Sequence, residues 1–139
     1  MSLYKQFKTD NTLEREGILL EYGENSKGKP ICIRVARAGG SNNAYAKRIE
    51  ARVKPYRRQI QNETMESALV ERIVKEVYAE TVVIGWENVE DENGNAMEFS
   101  VENCIKLFDD LPDLFRDIQE QSQRAALFRA EVREADAKN

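Results

Sequence analysis

The 139 residues contain no histidine. That absence removes the usual general base, the commonest metal ligand and the customary partner of a serine or cysteine nucleophile. Cysteine is scarce as well. Cys32 and Cys104 are too few for a structural zinc site. Both sit in apolar surroundings with no secretion signal ahead of them, so they read as reduced, buried thiols rather than a disulfide. No apolar run approaches the roughly 20 residues that cross a bilayer, and no signal peptide opens the chain. No carboxylate pair stands out from a surface-like background. Together these absences point away from an enzyme, a metal or cofactor protein and a membrane protein.

What is present suits one domain spanning residues 1–139, long enough to bury a modest core. Charged residues make up 33% of the chain and hydrophobic ones 41%. The net charge of −4 hides an asymmetry. Residues 1–62 hold 13 Lys+Arg against 6 Asp+Glu, a surplus of +7, and the remainder holds 8 against 19, a deficit of −11. Such a chain can pair its halves internally, associate head to tail with copies of itself, or offer a basic face to an anionic partner.

Residues 1–13 are polar and read as a loose arm. Residues 14–37 read as a β-hairpin: Ile18, Leu20 and Tyr22 alternate, as do Ile31, Ile33 and Val35, around the turn-rich GENSKGKP with Pro30 at a strand start. Gly39 and Gly40 break the pattern, and Ser41 to Asn43 offer helix caps. A helical body is expected over 42–134. Tyr45, Ile49, Val53, Tyr56 and Ile60 form a stripe that Pro55 should kink or split. NET can cap a second helix carrying Leu69, Val70, Ile73, Val74, Val77 and Tyr78, wide enough for the centre of the core. TVVIGW leans towards strand. Ser100 caps a short helix with Val101, Cys104, Ile105 and Phe108, and Pro112 ends it and starts the next. That last helix shows Leu114, Phe115, Ile118, Ala125, Phe128 and Val132 before a charged tail, 135–139, expected to fray. The fold class is α+β, mainly α-helical: an N-terminal β-hairpin, then a small helical bundle with a hairpin-like loop near 86–99.

DENGNAMEFSVE, residues 91–102, carries Asp91, Asn93, Asn95 and Glu102 at EF-hand calcium spacing. Ala96 stands where that loop needs glycine, Glu98 where it needs an apolar residue, and no helix leads in. Asn93-Gly94 instead signals a tight hairpin turn, with Val89 facing Met97 or Phe99. The stretch is read as a turn.

VVIGWENVEDENGNAMEFSVENCIKLFDDLPDLF, preceded by RAGGSNNAYAKRIEARVKPYRRQI, resembles the tail assembly chaperones of long-tailed bacteriophages. The marks are an apolar helix end followed by Gly85-Trp86, an acidic loop with Gly94, Phe99-Ser100 then Glu102-Asn103, and a Leu-Pro helix break. The likeness runs from about Arg37 to the end of the chain. It implies a non-enzymatic protein of the host cytoplasm, absent from the mature virion, that binds the tape measure protein and keeps it soluble. Contact with the tail tube protein is implied through a longer, frameshifted form, of which this chain is the short product. Such a role needs an exposed apolar surface rimmed with charge. Candidate client-facing residues are Trp86, Phe99, Phe115 and Phe128, large apolar groups near loops or helix ends, with core packing the alternative for each.

Two other readings remain. A nucleic-acid module could use the basic segment 34–58, with Arg34, Arg37, Lys47, Arg48, Arg52, Lys54, Arg57 and Arg58 around Tyr45 and Tyr56; the candidate basic face is Arg48, Arg52, Arg57 and Arg58. The tyrosines share a stripe with Ile49 and Val53, and the acidic pI of about 5.1 disfavours it. A minor virion protein, such as a tail completion or connector component, is the other.

Overall fold

The computed structural model describes residues 2–130. Two short helices open the chain, α1 (Leu3–Phe7) and α2 (Asn11–Glu16), followed by strands β1 (Ile18–Glu24) and β2 (Pro30–Val35). Next come α3 (Asn43–Val53), a 3-10 turn (Lys54–Tyr56), α4 (Arg57–Gln61) and α5 (Ser67–Thr81). Strand β3 (Val83–Glu87), helices α6 (Val101–Asp110) and α7 (Pro112–Gln123) and a 3-10 turn (Ala125–Phe128) complete the fold. It is an α+β fold, mainly helical, with the expected hairpin at its N-terminal end.

Local chemistry explains most boundaries. The Ser100 hydroxyl accepts from the Asn103 backbone N–H and caps α6. Pro112 occupies the first turn of α7, where its missing N–H costs nothing. Pro55 converts the α3–α4 junction into a 3-10 turn. Asp91 accepts from the backbone N–H groups of Asn93 and Asn95, and Gly94 adopts φ 80 between them. Met97 N–H then reaches the Val89 carbonyl at 2.9 Å. Those hydrogen bonds, the Asn95 N–H foremost, hold the Asp91 carboxyl below its ordinary range. Its oxygens close a turn of its own backbone.

Three features differ from the sequence-based expectation. The arm is not loose: Ser2 and Asp10 cap α1 and α2, and Asp10 N–H donates to the Phe128 carbonyl. TVVIGW supplies a third strand, so the sheet runs β1-β2-β3, antiparallel throughout. Helix α5 starts after Glu66, because Thr64 bonds back to the Gln59 carbonyl and terminates α4 instead of capping α5. Val132, the 131–134 end of the helical body and the 135–139 tail lie outside the described residues.

The sheet sets Leu20, Ile33 and Trp86 side by side, and Ile18, Val35 and Val83 one step along. This face meets α5, α6 and α7 through Tyr78, Val82, Cys104, Phe108, Phe115 and Ile118. Tyr78 takes Tyr45 and Phe115 edge-on, each at 5.6 Å between ring centres. Each such aromatic pair adds about 0.5–1.5 kcal/mol beyond burial.

Candidate functional site: two ends of a helix pair

Helices α3 and α5 pack along each other, and charge joins them. Arg48 pairs with Glu80 at 2.7 Å, and Arg52 reaches Glu76 at 3.4 Å and Glu80 at 3.7 Å. Across α5's other flank, Arg72 and Lys75 share Asp109 of α6 at 2.8 and 3.1 Å. The basic first half of the chain is thus partly neutralised by the acidic second half within one molecule. The two ends of the pair are unlike.

At the end where α3 begins and α5 finishes, polar groups lock segments together. Glu14 of α2 is only 2% exposed. Its carboxylate accepts from the Thr9 hydroxyl at 2.8 Å, the Ser41 N–H at 3.0 Å and the Arg37 guanidinium at 3.0 Å. Burial alone would raise this carboxyl's pKa, but the three donors outweigh it and hold the acid below its ordinary range. Asn42, also buried, donates its amide to the carbonyls of Arg37 and Thr81. Ala36 N–H reaches Val82, and Ala38 N–H reaches Ser122. Five segments are stitched here.

At the other end, after Pro55 breaks the stripe, α4 and the beginning of α5 enclose an apolar groove of about 380 Å³. Ile49, Val53, Ile60, Met65, Val70 and Val74 line it. Ile60 and Val70 remain 45% and 41% exposed, high for aliphatic residues on two facing stripes. Glu63 is the charged residue of its lining among the described residues, held at φ 55, a left-handed conformation that glycine adopts more readily.

The residues singled out from sequence scatter. Phe115 and Phe128 take the core alternative, both being buried, so neither offers a surface to a client. Trp86 and Phe99 are brought together, edge to face at 5.1 Å, half-buried at the sheet edge. The Trp86 indole donates to the Met97 carbonyl at 2.7 Å and so clamps the 88–99 loop onto β3. Beside them lies a mixed hollow of about 360 Å³, lined also by Lys27, Lys29 and Glu90. Of the basic face, Arg48 and Arg52 are engaged with α5, while Arg57 and Arg58 are exposed with no ion pair among the described residues. Tyr45 is committed inward, its hydroxyl pushed to about 12 by burial and by Tyr78. A phosphate-tracking face would need those engaged groups released. Among the described residues no cluster of three or more Cys, Asp or Glu could hold a metal ion, and no helix is long and apolar enough to cross a membrane.

Sequence reasoning missed the groove and Glu14. The groove's signal was present: the α3 stripe continues to Ile60 past the proline, and α5's stripe is too wide for one neighbour. Glu14 gave no signal, since it sits in a polar segment.

A model of the YdaY prophage protein family matches residues 40–139, well over half of the chain. The chain belongs to that family, and it is phage-related as the resemblance implied. The match takes in the three helices that line the groove, α3, α4 and α5, and leaves the N-terminal hairpin outside. No match to a curated protein or to a solved structure was found.

Proposed function

We infer that this is a non-enzymatic assembly chaperone of a phage tail, which binds the tape measure protein, keeps it soluble and assists tail tube polymerisation around it. One observation carries the reading: an unfilled apolar groove between α4 and α5, at the end of the helix pair that polar groups leave open. An amphipathic helix lays its apolar face into a groove of this kind through anchors three or four residues apart, and a tape measure protein is expected to be a long run of such helices. The client surface is therefore placed at Ile60 and Val70 rather than at Trp86, whose indole is already committed to the loop. The protein acts in the host cytoplasm and is left out of the finished virion, with the tail tube met through a longer frameshifted form.

Co-expression with a tape measure segment tests this. Wild-type protein is expected to retain the segment in the supernatant, and the groove variant Ile60→Asp/Val70→Asp is expected to lose it. Equal retention by both ends the assignment of the groove. Recovery of the protein from purified virions would favour a structural component instead.

A further inference from the structure

We propose that the apolar groove is also the receptor for the N-terminal helix of a second copy of this chain, so that free protein self-associates through arm-in-groove contacts. The inference shares the groove with the reading above but does not depend on it, because it stands on surfaces of this chain alone. Helix α1 has no buried residue. Leu3, Tyr4 and Phe7 are 73%, 83% and 61% exposed, the three highest values among the exposed large hydrophobics of the described residues. Spaced at i, i+1 and i+4, they cover one side of a single helical turn. Exposed apolar residues grouped this way mark a contact surface more often than scattered single ones do. The groove is the complementary shape: concave, lined by aliphatic side chains and Met65.

Charge fits as well. The arm carries Lys5 and Lys8 and no acidic residue before Asp10. The groove's lining carries Glu63, and Glu66 stands at the adjoining start of α5. Neither acid has an ion pair among the described residues. The opposite signs of the arm and the groove's rim favour their encounter.

The partner must be another molecule. The arm is fastened at the closed end, through Thr9 to Glu14 and through the Lys8 carbonyl to Ala130 N–H. Glu14 meets Ser41, and Asn42 meets Thr81 at the finish of α5. Val70 lies eleven residues before Thr81, about 16 Å along the helix. Helix α1 spans only about 7 Å, so as folded it does not reach its own groove. Arm and groove are different patches at opposite ends, which makes the contact heterologous; it closes reciprocally or runs on from copy to copy. A single turn with three anchors is a weak occupant, displaceable by a longer client helix.

Sedimentation velocity over a concentration series tests the idea with two variants of the full chain. Wild type should sediment faster as concentration rises. The arm variant Leu3→Ser/Phe7→Ser and the groove variant Ile60→Asp/Val70→Asp should each stay monomeric. An equimolar mixture of the two should regain a two-chain species, since one supplies an intact groove and the other an intact arm. A wild type that stays monomeric throughout, an arm variant that associates as wild type does, or a mixture that remains monomeric overturns the proposal. The arm substitutions change exposed side chains and give up one contact within the chain, the Arg129 guanidinium over the Phe7 ring at 5.2 Å, so that variant decides the matter even if the groove variant fails to fold, with Leu3→Ser/Tyr4→Ser, which keeps that contact, expected to behave alike. Retention of the tape measure segment by the arm variant separates the two readings, because its own groove is intact.

Discussion

The two ends of the α3–α5 pair were built from the same two helices and came out opposite. One end satisfies nearly everything: a buried carboxylate with three donors, a buried amide with two acceptors, and backbone bonds to three further segments. The other end leaves aliphatic side chains in water around an unfilled groove. A domain of this size has little stability to spare, so apolar surface left open at one end is balanced by order at the other. Stability is concentrated where the arm, sheet and C-terminal helix meet, and recognition surface where Pro55 interrupts the packing.

The contrast breaks most severely at Glu14. Replacing it with alanine strands the Arg37 guanidinium and should cost about 3–5 kcal/mol, the usual result of removing one member of a buried pair, read from urea unfolding. Gly40→Ala comes next. Gly40 sits at φ 54 and a Cβ there would collide with the Glu14 carboxylate, so a loss of about 1–3 kcal/mol is expected in the same measurement. Acid should act on the same end. Because the folded-state pKa of Glu14 is depressed, its contribution is present above the ordinary carboxylate range and disappears as pH falls through the folded value. Glu14→Gln should flatten that part of a stability-against-pH curve; an unchanged slope would remove Glu14 as its source. At the open end effects on the fold should be small. Ile60→Asp/Val70→Asp should change stability by less than about 1 kcal/mol while abolishing binding to the groove. Glu63→Gly, which relieves a left-handed residue, should raise stability by a few tenths to about 1 kcal/mol. A groove variant as damaging as Glu14→Ala would mean that the ends are not specialised.

Much of the closed framework was legible in the sequence because local chemistry dictates it. The alternation of Ile18, Leu20 and Tyr22, the Ser100 cap, Pro112 and the Asn93-Gly94 turn each act over a few residues. The third strand was only half legible. TVVIGW has strand chemistry, but nothing near it says that Trp86 will pair with Ile33 across the whole α3–α5 segment. The candidate site was harder to place for a related reason. Periodicity shows which face of α3 or α5 is apolar, whereas an opening between them depends on where the facing helix stops covering it. Large aromatics attract attention as binding groups, yet Phe115 and Phe128 are large because the interior needed filling.

The cysteines give the molecule an internal clock. Cys104 is wholly enclosed among the helices, its thiol pushed up to about 12 by burial, and Cys32 is enclosed on the middle strand. Both are shielded from a thiol reagent in the folded state, Cys104 fully and Cys32 to all but 7%, so alkylation rates time how often each neighbourhood comes apart. Because one sulfur belongs to the helices and the other to the sheet, a difference between their rates would reveal whether the two layers separate together or in turn.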